Sequence, residues 1–126
     1  MIGVLGAGTM GSGIAQLGGQ AGDGALVWDP VEGAAARGVE RALAGIEKLR
    51  AKGRLESEPA ELRVVASLDE LAGCDVIVEA APERLDLKHE LFAEVSRIAP
   101  RAVLASNTSS IPITAIAPAA TDPSRV

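Results

Sequence analysis

The run Gly6-Ala7-Gly8-Thr9-Met10-Gly11 constrains this chain more than any other stretch. It begins where a short apolar run, Ile2 to Leu5, ends. It opens into a segment whose apolar residues Met10, Ile14, Leu17 and Ala21 recur three and four apart. Four apolar residues against a glycine are too few for a helix and read as a buried strand. The spacing after them reads as a helical stripe over 9–21, stopped by Gly22-Asp23-Gly24. A glycine turn from strand to helix fits G-x-G-x-x-G, and each glycine has its own task. The first permits a tight turn, the second leaves the backbone open to an anion, and the third lets helix and sheet approach closely. Unpaired N–H groups at the helix start, with the helix dipole, then favour a pyrophosphate. Gly6, Ala7, Gly8, Thr9, Met10 and Gly11 are thus candidate cofactor-binding residues. A glycine-rich turn without a ligand is the competing reading.

The rest of the chain alternates in the same way. Ala25 to Trp28 reads as a second strand, and Val31 to Lys52 as a long helix with Val39, Leu43, Ile46 and Leu49 on its buried stripe. Residues 54–61 are polar, contain Pro59 and read as a loop. Leu62 to Ala66 is a third strand, with a short helix at 67–72. Asp75 to Glu79 is a β-branched run and a fourth strand, ended by Pro82. Arg84 to Ile98 is an amphipathic helix with Leu87, Leu91, Val95 and Ile98 on one face. Ala102 to Ala105 is a fifth strand, and the polar cluster Ser106 to Ser110 follows it. A short helical segment lies near 112–118, and residues 124–126 read as a turn into a sixth strand. Strands alternating with helices imply right-handed crossovers, hence an α/β, doubly wound parallel sheet of Rossmann type with its sixth strand truncated. The 126 residues suit one domain.

In such sheets the ligand lies beyond the C-terminal strand ends, where strand order reverses. The glycine loop, residues 80–84 and residues 106–110 would line that crevice. Asp29 ends the second strand, 18 residues after Gly11. A carboxylate there accepts from both adenosine ribose hydroxyls and repels a 2′-phosphate. Neither Lys nor Arg stands within Pro30 to Glu32, so NAD is favoured over NADP. Asp29 could also cap the next helix, and the two roles are compatible.

Composition narrows the field. With a net charge of −5, one Trp, one Phe and no Tyr, the chain lacks the basic surface and stacking groups of a nucleic-acid binder. One cysteine, Cys74, and one histidine, His89, leave no multi-Cys or two-His metal site. No apolar run is long enough for a membrane span, and a signal peptide is not expected because glycines interrupt the N-terminal segment. A cytoplasmic protein is the expectation. Cys74 reads as a small buried group, and His89, off the Leu87–Leu91 stripe, as an ordinary helix residue.

Three stretches carry a resemblance. Gly6 to Gln16, the segment Val78-Glu79-Ala80-Ala81-Pro82-Glu83 with Leu85, Lys88, Glu90, Leu91 and Phe92, and Ala105-Ser106-Asn107-Thr108-Ser109-Ser110 occur in this order. Together they resemble the N-terminal NAD-binding domain of L-3-hydroxyacyl-CoA dehydrogenases. The last stretch is the most specific. The resemblance implies NAD as cofactor, an acyl-CoA substrate and a homodimer. It implies that Glu83 and Lys88 contact the nicotinamide half of NAD. It also implies that Ser109 hydrogen-bonds the substrate's 3-oxygen beside the nicotinamide, as catalytic and substrate-binding residue. From the residues alone, Glu83 and Lys88 could equally be a generic helix start, and Ser109 a helix cap. Asn107 is expected to order its loop by bonding nearby backbone. Lys52 falls where the family binds the coenzyme, with Lys48, Arg50 and Arg54 nearby, whereas Gly45 stands where the family can use a serine. Residues 54–66 look shorter than in many relatives.

The resemblance also implies a general-base His soon after the sixth strand, a Glu orienting it, and a helical C-terminal domain. All lie past Val126, so residues 1–126 are expected to bind NAD without turning substrate over. The alternatives are a dehydrogenase domain of the 2-hydroxymethyl-acid or 6-phosphogluconate type, or a stand-alone NAD-binding module. The first of these lacks the Ser-Asn-Thr-Ser-Ser run.

Overall fold

A computed structural model describes residues 1–126. Five strands, β1 (Ile2–Leu5), β2 (Ala25–Trp28), β3 (Leu62–Val64), β4 (Val76–Glu79) and β5 (Val103–Ser106), form one sheet. Every pairing is parallel, in the order β3-β2-β1-β4-β5. The chain therefore winds outward from β1 to β3, crosses back, and winds outward again through β4 to β5. The switch point lies between β1 and β4. The register sets Trp28, Leu5, Glu79 and Ser106 side by side along the C-terminal edge. This row carries every loop of the site.

Helices α1 (Thr9–Gln20) and α2 (Ala34–Ala51) cover one face, and α3 (Leu85–Ile98) covers the other. The short α4 (Ile113–Ile116) packs against α3. The two cores differ in grain. Under α1 and α2 most side chains are alanine or valine, with Ile46 and Leu62 the two larger ones. Under α3 lie Leu71, Ile77, Leu91, Phe92 and Leu104.

The expected strands and long helices form, but the stripe of α1 is rotated, and those of α2 and α3 hold in part, with Val39, Ile46, Leu91 and Val95 buried as expected. On α1 the face against the sheet is Gly11, Ser12, Ala15, Gly18 and Gly19. Met10 and Leu17 are 57% and 64% exposed instead. Small residues win this face because only they let α1 lie so close. A Cβ on Gly11 would overlap the carbonyl oxygen of Gly6, and one on Gly18 would reach 3.2 Å from that of Gly24. On α2 the buried residues are Ala35, Gly38, Val39, Ala42 and Ile46, leaving Leu43 exposed. This helix starts at Ala34 rather than Val31, because Gly33 turns the chain with φ of +75°. On α3 Lys88 and Ser96 lie on the buried face, with Leu87 and Ile98 only half-buried. The segment read as a helix at 67–72 is a 3-10 turn, Leu68–Leu71, and residues 123–125 form another. Arg125 fixes that end by donating to the carbonyls of Ser96, Ala99 and Ala102.

Candidate functional site

The glycine loop leaves β1 with two glycines the fold itself requires. Gly6 has φ of +97°, and a Cβ there would reach 2.7 Å from the carbonyl oxygen of Ala80. Gly11 is excluded from any side chain by the overlap described above. Gly8 is different. Its backbone is extended, at φ −69° and ψ −165°, a conformation open to any residue. A Cβ would meet nothing within 4 Å. Its N–H donates to no group of the chain. Gly8 thus offers bare backbone to an open space, with the start of α1 behind it.

Asp29 joins this loop to β2. Its Oδ2 accepts the Ala7 N–H at 2.8 Å, and its Oδ1 accepts the Val31 N–H at 2.9 Å. The carboxylate therefore caps the turn after β2 and braces the glycine loop together, rather than capping α2, whose N-cap is Gly33. Each oxygen keeps a lone pair for a further donor. Arg41 braces the same loop from α2, donating to the Ala7 carbonyl at 2.6 Å and the Ser12 hydroxyl at 3.0 Å. Sequence gave no sign of this, because 34 residues separate Arg41 from Ala7.

A cleft of about 890 Å³ opens over Gly6, Gly8, Trp28 and Asp29, between the 3-10 turn and Leu87 and Leu91 of α3. That is ample for a nucleotide. Its charged lining is Asp29, Glu90 and Glu94, without Lys or Arg. Residues 106–110, expected to line this crevice, do not line the cleft. They stand on the far side of the 80–84 loop and are tied to it.

That tie is a network of side chains. Glu79 and Lys88 are 1% and 0% exposed. The Lys88 ammonium donates to both Glu79 oxygens, at 2.8 and 2.7 Å, and pairs with Glu83 Oε1 at 3.0 Å. Glu83 Oε2 accepts the hydroxyls of Thr108, at 2.7 Å, and Ser110, at 2.8 Å. The Thr108 hydroxyl first, then Lys88 and Ser110, hold the Glu83 carboxyl down to about 2. Thr108 also accepts the Ile111 N–H, capping the next turn. Glu83 retains acceptor capacity for one more donor. The three N–H groups of Lys88 are engaged by Glu79 and Glu83. The competing reading, a generic exposed helix start, does not hold for Lys88, which the structure places inside. The buried partner Glu79 was not anticipated, since a strand-end Glu carries no signal of its own.

Ser109 and Asn107 are exposed, and neither side chain bonds to the chain. Asn107 holds its loop through its backbone N–H on the Glu79 carbonyl at 2.8 Å, not through its amide. Ser109 is not a cap, and its hydroxyl is free for a ligand. His89 binds the Ala115 carbonyl at 2.6 Å, joining α3 to α4. Cys74 is a buried thiol, pushed up by that burial. Lys52 caps the far end of α2, about 27 Å along the helix from Gly33, and the structure does not bring it to the cleft. Over Gly45, where a Cβ would overlap the Gln16 amide, the Gln16 side chain fills the space.

A family model described as the NAD binding domain of 3-hydroxyacyl-CoA dehydrogenase matches residues 1–126. The chain belongs to this family. NAD is the cofactor of the domain, in keeping with a cleft whose charged lining residues are all acidic. The domain is 40% identical over 128 residues to a probable 3-hydroxybutyryl-CoA dehydrogenase of Deinococcus radiodurans, covering 98% of this chain and 46% of the relative. It is 37% identical to the 3-hydroxyadipyl-CoA dehydrogenase of Escherichia coli, covering 99% and 28%. The crystal structure of Mycobacterium tuberculosis FadB2 superposes with a TM-score of 0.86 at 38% identity, covering 99% and 46%. The chain thus spans about half the length, or less, of the relatives it matches. No helix of the domain is long and apolar enough to cross a membrane.

Proposed function

We propose that residues 1–126 hold NAD for an enzyme that oxidises L-3-hydroxyacyl-CoA to 3-ketoacyl-CoA. The observation that carries this reading is Gly8, which the fold leaves free to bear a side chain and which bears none. A pyrophosphate over its N–H explains that choice. The adenosine half would lie in the cleft, its ribose on Asp29. The nicotinamide half would cross the 80–84 loop towards Glu83 and Ser109. Bound there, NAD would supply the acceptor for the hydride from the substrate's C3. Glu83, ionised and with one acceptor site left, suits a ribose hydroxyl. The Ser109 hydroxyl donates to a ketone oxygen and accepts from an alcohol, so it suits both directions. A role for Lys52 towards the coenzyme and the homodimer belong to the same proposal and rest on the resemblance; a cytoplasmic setting belongs to it too and rests on the residue pattern of the chain.

The only histidine, His89, has its ring bonded to the Ala115 carbonyl of α4 and is not free to act as a base. The chain is expected to bind NAD+ at one site, about tenfold or more tighter than NADP+, and to form no NADH from 3-hydroxybutyryl-CoA. Calorimetry and absorbance at the NADH band test both. Tighter binding of NADP+, or turnover above background, would overturn the respective halves.

A further inference from the structure

We propose that Glu79 is a positioning residue for the nicotinamide half of the site, fixing through Lys88 and Ser106 where Glu83, Thr108 and Ser109 stand. The inference rests on the NAD-binding reading above. Glu79 ends β4, in register with Leu5 at the exit into the glycine loop and with Ser106 at the exit from β5. From that position one residue gathers four others. Its Oε1 accepts the Ser106 hydroxyl at 2.6 Å, and its Oε2 accepts the Ala81 N–H at 2.6 Å. Both oxygens accept from Lys88. Its carbonyl accepts the Asn107 N–H at 2.8 Å. The loops after β4 and β5 thus hang from the same side chain.

Energetics point away from stability as the reason. A buried ion pair gains little over well-packed apolar residues, because desolvation offsets the attraction. What it provides is a single geometry, and here no buried side-chain polar atom is left without a partner. The outer shell is built on it. Lys88, held by Glu79, pins Glu83 Oε1, and Glu83 Oε2 in turn pins Thr108 and Ser110 on either side of Ser109. Lys88 needs no contact with a ligand to matter. Its charge sets the place of the carboxylate that has one.

Binding of NAD+ and of ADP separates positioning from mere support, because ADP occupies only the adenosine diphosphate half. In Glu79→Gln, ADP affinity is expected to stay within about twofold, while NAD+ affinity falls about tenfold. The pair Glu79→Gln with Lys88→Met, which buries no unmatched charge, is expected to do the same. An NAD+/ADP affinity ratio unchanged in both would overturn the proposal and leave NAD binding standing. Failure of the unsubstituted chain to bind NAD+ would overturn the reading beneath it as well. If neither variant folds, the unsubstituted chain with 15N-labelled lysine decides. The Lys88 ammonium signal should be visible and protected from exchange both without and with saturating NAD+. Loss of that protection on binding would show the ammonium leaving Glu79, contrary to the proposal.

Discussion

The two halves of the sheet build their shares of the site from different material. The β1–α1–β2 half uses backbone: glycines for space, N–H groups at a helix start, and a single carboxylate to brace the loop. The β4–α3–β5 half uses side chains, with a buried Glu–Lys pair at its centre and two hydroxyls at its rim. A backbone site tolerates little change in shape but carries no buried charge. A side-chain site can be unbuilt one group at a time, at a cost set by what each removal leaves unpaired.

The largest expected effect lies in the second half. Lys88→Met leaves Glu79 buried without its cation and is expected to cost about 3–5 kcal/mol, read by chemical denaturation. Adding Glu79→Gln should return much of that loss. If Lys88→Met alone is harmless, the pair is not buried in solution as it is here. In the first half, Gly11→Ala is expected to cost about 3 kcal/mol, since the methyl must displace backbone rather than a side chain. Asp29→Asn is milder. It keeps one acceptor oxygen for two N–H groups, an expected loss of about 1–2 kcal/mol, and it should narrow the preference for NAD+ over NADP+.

The smallest effect concerns acid. Glu83 sits at about 2 in the folded chain against an ordinary 4.5. A depressed carboxyl contributes stability that is fully present above its unfolded value and is lost as pH falls through the folded one. The Glu83 contribution should therefore hold from neutral pH to about 4.5 and fade between there and about 2. Affinity for NAD+ should show no Glu83 titration between pH 8 and 5. A titration near 4.5 in the folded chain would mean the Thr108–Ser110 cradle is open.

The same contrast explains what could be read from sequence. The glycine loop is legible because a backbone requirement leaves a fixed residue type at a fixed spacing. Asp29 is legible because it ends the second strand at a set distance from the glycine loop, 18 residues after Gly11. The stripe of α1 misled, because Met10 and Leu17 mark a helical period without marking its buried face; the glycines opposite them do. The Glu79–Lys88–Ser106 network left no trace. Its members are 9 and 27 residues from Glu79, and only the strand register puts them together. Ser109 was singled out through a resemblance, and the structure adds that its hydroxyl is free.

Gly8 gives the most direct test of the central claim, because fold and ligand make opposite demands on it. Trp28, the only tryptophan, lines the cleft and reports occupancy by its fluorescence. The expectation for Gly8→Ala is a melting temperature close to that of the unsubstituted chain, since a methyl in open, extended backbone meets nothing and stiffens the unfolded state, which offsets the poorer cap that alanine makes at the start of α1. Its NAD+ affinity is expected to fall about tenfold or more, because the methyl stands where the pyrophosphate must touch backbone. A Gly8→Ala chain that melts normally and binds NAD+ as well as before would contradict the placement of the cofactor over this loop.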